Sequence, residues 1–463
     1  MTINLLPLGQ KPLNEFTLED FREQRVLGET YLGSDITGVK NNASMGSGHS
    51  ISGILYFTGQ GNGYGAVDRR LFAKQLLPTV DHSDTYKVGR EPYVLYFREL
   101  QALKTVSVGV GTDLTFPFVA QDDTRLIFFQ RYARAKSDAD RLTEMTHPIA
   151  RKRVAYAGHR SIACLNARLR TRKYCFHDSL LVDKFSVDKK SADIVDYFET
   201  WRLYSSDYSR EEIVNLTANG MKKVLDELKL KNLESDVSIL VGEGWKALEF
   251  LSEPGHGDMR AHHVIGPEET RADRPKQRKF IDWDRFGLYP NVLSHVTYSS
   301  MEGGLAEIPL DEICGLGGRV LAYDKAASNN DAKIRNRSLR NLDKMSHKKV
   351  IASVKSSLKN KFAVQYLALA IEDHMHLQSS SLRWPRNQLA GLISGIPGWS
   401  LEKMVNIRPQ KIVEILDFVA QNKKLLNSMD DPVGARKYFA RLGDKLVQAE
   451  LVDVPETVLS RLK

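Results

Sequence analysis

The strongest constraint on this chain is a change of hydrophobic period along its length. Two runs, 51–58 and 70–77, are strand-like. They are joined by the turn-rich Gly59-Gln60-Gly61-Asn62-Gly63-Tyr64-Gly65, which predicts an antiparallel pair with a long turn. Leu126-Ile127-Phe128-Phe129 predicts a further short buried strand, and Pro92 opens a helix-like stretch over 92–104. Beyond about residue 190 the period becomes helical. Ser209-Arg210-Glu211-Glu212 reads as a capping box ahead of Ile213, Leu216, Val224 and Leu228. Pro409 leads into Ile412, Ile415, Leu416 and Val419 at helical spacing. Residues up to about 40 are polar and give no clear element. Strands first and helices later predict an α+β chain with a helical C-terminal extension.

A length of 463 residues is ample for an enzyme-sized core, and 42% apolar with 9% aromatic residues describes a globular chain, neither disordered nor fibrous. Cys164, Cys175 and Cys314 are too few and too scattered for a metal knuckle or a disulfide framework, which favours a reducing compartment. No run of about 18 apolar residues is present, and residues 1–11 lack a signal-peptide pattern. The expected location is cytoplasmic.

The net charge of +9 is concentrated. Lys333, Arg335, Arg337, Arg340, Lys344, Lys348, Lys349, Lys355, Lys359 and Lys361 face Asp343 alone, so residues 333–361 carry the whole excess. A milder cluster runs from Arg151, Lys152 and Arg153 through Arg160 and Arg168 to Arg170, Arg172 and Lys173. Charge blocks are most often solvated helix faces. Arg337, Arg340, Lys344 and Lys348 recur at helical spacing, so they could also form a stripe that docks a polyanion or a protein.

Chemistry concentrates between 256 and 284. His256-Gly257-Asp258 precedes the apolar segment that ends Val264-Ile265, and Lys279-Phe280-Ile281 leads into Asp282-Trp283-Asp284. Two short strands around a polar loop would bring these carboxylates to one end of a hairpin. That convergence is what divalent-cation binding and proton abstraction from a hydroxyl require.

These residues resemble the aminoglycoside phosphotransferases and choline kinase-like phosphotransferases, which have a bilobal protein-kinase-like fold. The family pattern is His-Gly-Asp, four residues, Asn, and some twenty residues later Ile-Asp-aromatic-acid. The resemblance implies that Asp258 is the catalytic aspartate, that Asp282 holds Mg²⁺ bridging the ATP phosphates, and that Asp284 is the second acidic position. The departure is His263, which stands where the family places its metal-binding asparagine. An imidazole can ligate a metal through one nitrogen, whereas Mg²⁺ prefers oxygen, so Mn²⁺ enters as a second metal. His262 is expected to point the opposite way on the same strand.

A kinase-like fold also needs a phosphate loop, a lysine and its glutamate upstream. Lys74 ends an alternating strand, and Glu91, seventeen residues on, resembles its helix-borne partner, with Glu99 as a rival because Pro92 would put Glu91 at the helix start. Met45-Gly46-Ser47-Gly48 is preferred as the phosphate loop, since a two-strand hairpin must separate that loop from Lys74. Phe128, Phe129 and Gln130 resemble the hinge whose backbone would meet the adenine edge. A strand lysine is commonly a solvated edge residue and a glycine cluster commonly a turn; the order of the elements is what gives them weight. His256 reads as structural, holding the loop by hydrogen bonds.

The implied organisation is an N-terminal segment over 1–40, a nucleotide-binding lobe over 41–131, a catalytic lobe over 132–330 and a basic helical extension over 331–463. The expected activity is ATP- and divalent-metal-dependent phosphorylation of a hydroxyl. A basic chain without an acidic block suits a neutral or anionic acceptor, such as a sugar, phosphosugar or nucleoside, better than a polycation. The alternative is a pseudokinase or nucleotide-gated binding protein that works through its basic region.

Overall fold

The computed structural model describes residues 11–23, 36–45, 50–60, 66–76, 96, 99–100, 103, 115–116, 118–132, 135–170, 247–248, 252–256, 259–267, 278–283, 287–300, 308–378, 409–448 and 452–463. Among them, an antiparallel sheet of six strands comes first: β1 (Ile36–Asn41), β2 (Ser44–Met45), β3 (Ser50–Gln60), β4 (Ala66–Leu76), β5 (Phe118–Asp122) and β6 (Ile127–Arg131). Its order is β1-β3-β4-β6-β5, with β2 also on β3. The hairpin expected around the glycine-rich turn is β3–β4, in continuous register from Ser50↔Leu76 to Gln60↔Ala66.

Alternation along the central strands assigns each face, because successive strand side chains point to opposite sides. Ile51, Leu55 and Phe57 of β3, Leu71 and Ala73 of β4, and Ile127 and Phe129 of β6 build a small core. Leu13, Phe16 and Phe21 cover that core from the segment ahead of the sheet. A short helix, Leu18–Arg22, holds Phe21 there, and Asp20 Oδ2 accepts from Thr17 N at 2.5 Å at its start. Phe128 and Leu76 point the other way, into the large core, and Phe72 packs against that core. Lys74 therefore shares the face of Phe72 and Leu76 and looks toward the rest of the molecule. At Gly53 two backbone segments cross closely: a Cβ there would lie 2.4 Å from the Ala43 Cα and 2.5 Å from the Asn42 carbonyl.

Two further small sheets follow. β7 (Ala135–Ser137), β9 (Val264–Pro267) and β10 (Lys279–Phe280) form one in the order β10-β9-β7, and β8 (Ser252–Gly255) pairs with β11 (Gly287–Pro290). The β9–β10 pairing, Ile265↔Lys279 and Val264↔Phe280, is the hairpin expected around the polar loop. His262 and His263, expected on a strand, instead lie in a 3₁₀ turn, Ala261–His263, immediately before β9. The turn forms because His263 N donates to Arg260 O at 2.9 Å.

The remainder is helical. The 23-residue helix Pro148–Arg170 buries most of its last four turns. It belongs to one continuous core with Leu293–Ser300, Ile313–Ala327, Ser356–Gln378, Pro409–Gln421, Pro432–Gln448 and Glu456–Leu462. The C-terminal helices are thus packed into the same core as the hairpin residues Met259, Val264, Phe280 and Trp283. The helix Pro409–Gln421 lies where its periodicity placed it. The capping box at 209–212 lies outside the described residues. No described helix is long and apolar enough to cross a membrane.

Candidate active site

Lys74 is delivered by β4 and is almost fully buried, at 6% exposure. A buried ammonium requires partners, since desolvation of an uncompensated charge costs several kcal/mol. Two carboxylates meet it: Glu99 Oε2 at 2.7 Å and Asp282 Oδ1 at 2.6 Å. Glu99 is helical in its local backbone, as are Tyr96, Leu100 and Leu103, and all four are buried. Its other oxygen, Oε1, accepts from Trp283 N at 3.2 Å. One glutamate thereby ties the sheet lysine to the backbone beside Asp282.

Asp282 follows β10 with φ 64°, in the left-handed region. Aspartate tolerates that conformation better than most L-residues. Its neighbours hold it there. His256 Nε2 donates to Ile281 O at 2.7 Å, and the His256 ring lies 4.6 Å from that of Trp283. Ile281 N donates to His263 O at 3.1 Å, and Trp283 Nε1 donates to Phe280 O at 3.2 Å. His256 has the bonding expected of it, anchoring the chain one residue before Asp282.

The Asp282 carboxylate is shared between two cationic or polar partners. Oδ1 faces Lys74, and Oδ2 lies 3.2 Å from His263 Nε2. Burial works against its ionisation, but the Lys74 ammonium and the His263 ring outweigh it and hold the carboxyl well below the usual carboxylate range. About a third of the side chain, 34%, remains exposed. An ionised, partly open carboxylate beside an imidazole nitrogen suits a divalent cation. Among the described residues no group of three or more His, Cys, Asp or Glu side chains converges as a metal site, so Asp282 and His263 form a two-donor platform.

Behind this platform, β10 is fixed to the helical part. Arg278 Nε donates to both oxygens of Asp138, at 2.8 and 3.1 Å, and Tyr298 Oη donates to Asp138 Oδ2 at 2.9 Å. Arg278 and Asp138 are buried, so the pair is a desolvated, hydrogen-bonded clamp and not a surface bridge. Lys279 Nζ donates to Thr115 O at 2.9 Å, the next link toward the sheet.

The structure therefore brings together Lys74, Asp282 and His263 from segments up to 208 residues apart. Gly46, Ser47, Gly48, Glu91, Asp258 and Asp284 lie outside the described residues. The strands flanking 46–49 pair Ser44↔Ser52 and Met45↔Ile51, and Ser52 lies opposite Lys74 on β4. The partner of Lys74 is Glu99, the rival to Glu91. Tyr96, Glu99, Leu100 and Leu103 fall at i, i+3, i+4 and i+7, a periodic signal that puts Glu99 on a buried helix face.

The hinge reading needs correction. Phe129 pairs with Ala73 on one side and Ala120 on the other, and Gln130 pairs with Phe72 and Phe118. Inside a sheet both flanks of the backbone are engaged in ladders. The Phe129 side chain is core, and Gln130 Nε2 donates to Phe116 O at 3.2 Å. Neither residue offers its backbone to an adenine edge. The Arg278–Asp138–Tyr298 clamp was invisible in the sequence because Asp138 lies 140 and 160 residues from its two partners.

An antiparallel sheet that delivers a buried lysine to a helical glutamate, above a helical part whose short hairpin ends in an aspartate, defines a bilobal protein-kinase-like fold. No family model matches the sequence, and no curated protein matches it. Among solved structures, the chain is similar to a choline/ethanolamine kinase family protein from Mesorhizobium loti, at 11% identity and TM-score 0.33, covering 96% of this chain and 98% of that one. It is also similar to a putative aminoglycoside phosphotransferase from Ralstonia eutropha, at 12% identity and TM-score 0.32 over 82% and 96%. A Plasmodium vivax ethanolamine kinase is similar at 10% identity and TM-score 0.33 over 72% and 76%.

Proposed function

We propose that this protein transfers the γ-phosphoryl group of ATP to a hydroxyl of a neutral or anionic small molecule, such as a sugar, phosphosugar or nucleoside. The observation that carries the reading is the Lys74–Glu99–Asp282 constellation, which joins sheet, helix and hairpin around one ammonium. Such a constellation is built for phosphates. Lys74, preset by Glu99, would meet the nucleotide's charge, and Gly46, Ser47 and Gly48 would supply backbone N–H groups to its phosphates. Asp282, with His263 and Asp284, would hold a divalent cation such as Mg²⁺. When bound, that cation neutralises charge on the transferring phosphate.

Asp258 accepts the proton of the acceptor hydroxyl as its oxygen bonds to the γ-phosphorus and the bond from that phosphorus to the bridging oxygen breaks, releasing ADP. Most of the rate comes from alignment and charge compensation. Asp258→Ala is expected to abolish turnover of labelled ATP with an acceptor panel while leaving ATP affinity within a few fold. Wild-type turnover in that variant would remove Asp258 from the role.

One observation favours a second reading, a nucleotide-gated binding protein. The helix Ala332–Lys344 has no buried residue and presents Arg337, Arg340 and Lys344 outward. Polyanion binding with no turnover under any acceptor would favour it.

A further inference from the structure

His263 departs from the residue type its position resembles, and its geometry gives the departure a chemical meaning. Its backbone is clamped on both sides, by His263 N to Arg260 O at 2.9 Å and by Ile281 N to His263 O at 3.1 Å. Its ring is set 5.8 Å from His256. Nε2 consequently sits 3.2 Å from Asp282 Oδ2, the carboxylate oxygen turned away from Lys74. Adjacent donors in an octahedral shell with bonds of about 2.1 Å lie about 3 Å apart. The pair, at hydrogen-bond distance without an ion, has a spacing that two neighbouring ligands of one ion also take.

Resting on the phosphotransferase reading, we infer that His263 Nε2 is a direct ligand of the nucleotide-associated cation and that it makes this site select first-row transition ions over Mg²⁺. Mg²⁺ is a hard ion that takes oxygen and keeps its waters, whereas imidazole suits borderline ions, whose affinity rises from Mn²⁺ through Co²⁺. An asparagine would present an amide oxygen at this position; the histidine presents nitrogen. Lys74 faces Oδ1 and His263 faces Oδ2, which would leave Oδ2 to a cation.

The test uses the full-length chain with Mn²⁺ and a non-hydrolysable ATP analogue, read by pulsed electron paramagnetic resonance. The expected spectrum contains the coupling of one directly bound histidine nitrogen, which changes from ¹⁴N to ¹⁵N character when the protein is grown on [¹⁵N]histidine. In His263→Asn that coupling disappears while Mn²⁺ and nucleotide remain bound, and the preference for Mn²⁺ over Mg²⁺ in competition falls by about tenfold. Should the variant fail to fold, the labelled wild-type spectrum decides alone. Mn²⁺ held with the nucleotide but without histidine coupling overturns the inference and leaves the phosphotransferase reading intact. No nucleotide-dependent Mn²⁺ binding overturns both.

Discussion

Asp282 takes a left-handed backbone at the end of a two-residue strand, and three neighbours fix it there: the His256 bond to Ile281 O, the Ile281 bond to His263 O and the Glu99 bond to Trp283 N. The carboxylate that results is ionised because Lys74 and His263 overcome its burial. The Lys74–Glu99 pair beside it is deeply buried, so it should behave unlike an exposed bridge, whose worth is about 0–1 kcal/mol. A double-mutant cycle of Lys74→Met and Glu99→Gln, read by urea unfolding, is expected to give a coupling of about 2 kcal/mol or more. Additivity would mean the two side chains do not act as a pair. Lys74, His263 and Asp282 were legible in the sequence because motif order and spacing survive without any structure. Glu99 was legible only as a rival, since choosing between it and Glu91 needs the helix face that Tyr96, Leu100 and Leu103 define.

The central hairpin, the Ile127–Arg131 strand and the β9–β10 pair followed from short apolar, strand-like runs set off by turn residues or a polar loop. The errors were about what surrounds a strand. Phe129 and Gln130 resemble a hinge whose backbone would meet an adenine edge, but partners on both flanks make theirs a central strand, and pairing between distant strands leaves no local mark. The 3₁₀ turn at His263 escaped because three residues are too few to show a period.

Helix contacts hold a further device that the sequence did not announce. His159, on Pro148–Arg170, and His295, on Leu293–Ser300, are buried and stacked with Nδ1 atoms 3.1 Å apart. Ser299 Oγ donates to His295 O at 2.9 Å, so at 3.1 Å it accepts from His159 Nε2. His159 Nδ1 is then the acceptor for His295 Nδ1–H, and both rings are neutral. Burial lowers both pKa values, that of His159 well below its ordinary value and that of His295 to about 3. The unfolded chain therefore binds protons first. Stability is fully present above about pH 6.5 and falls as pH drops toward the folded values, by about 2 kcal/mol per histidine between pH 7 and 5. Urea unfolding at those two pH values should show His295→Gln losing roughly half of the pair's pH dependence. An unchanged dependence would contradict the neutral pair.

At the scale of the molecule, the sheet's two faces separate a small core under the N-terminal segment from one large core shared by the hairpin and the helices. The α+β class followed from the order of periods, whereas the seat of the C-terminal helices did not. Gln365 Nε2 reaching Leu248 O at 2.6 Å, and Lys361 pairing with Asp430, are contacts across 117 and 69 residues that no local pattern encodes. The basic stretch was visible as composition, and the structure adds that its first helix rests Leu339 and Leu342 on the core while none of its residues is fully buried. The architecture places Lys74 and Asp282 from opposite parts of the chain on one site, and nucleotide bound there would bridge them.

Thermal unfolding of the whole protein with ATP and Mg²⁺, Mn²⁺ or EDTA, repeated on Asp282→Ala, tests that claim most directly. A ligand that binds only the folded state stabilises it by about 2.7 kcal/mol at a hundredfold excess over its dissociation constant. The account predicts a metal-dependent rise in midpoint with the wild type that is lost in Asp282→Ala. An unmoved midpoint with every nucleotide and metal would contradict it.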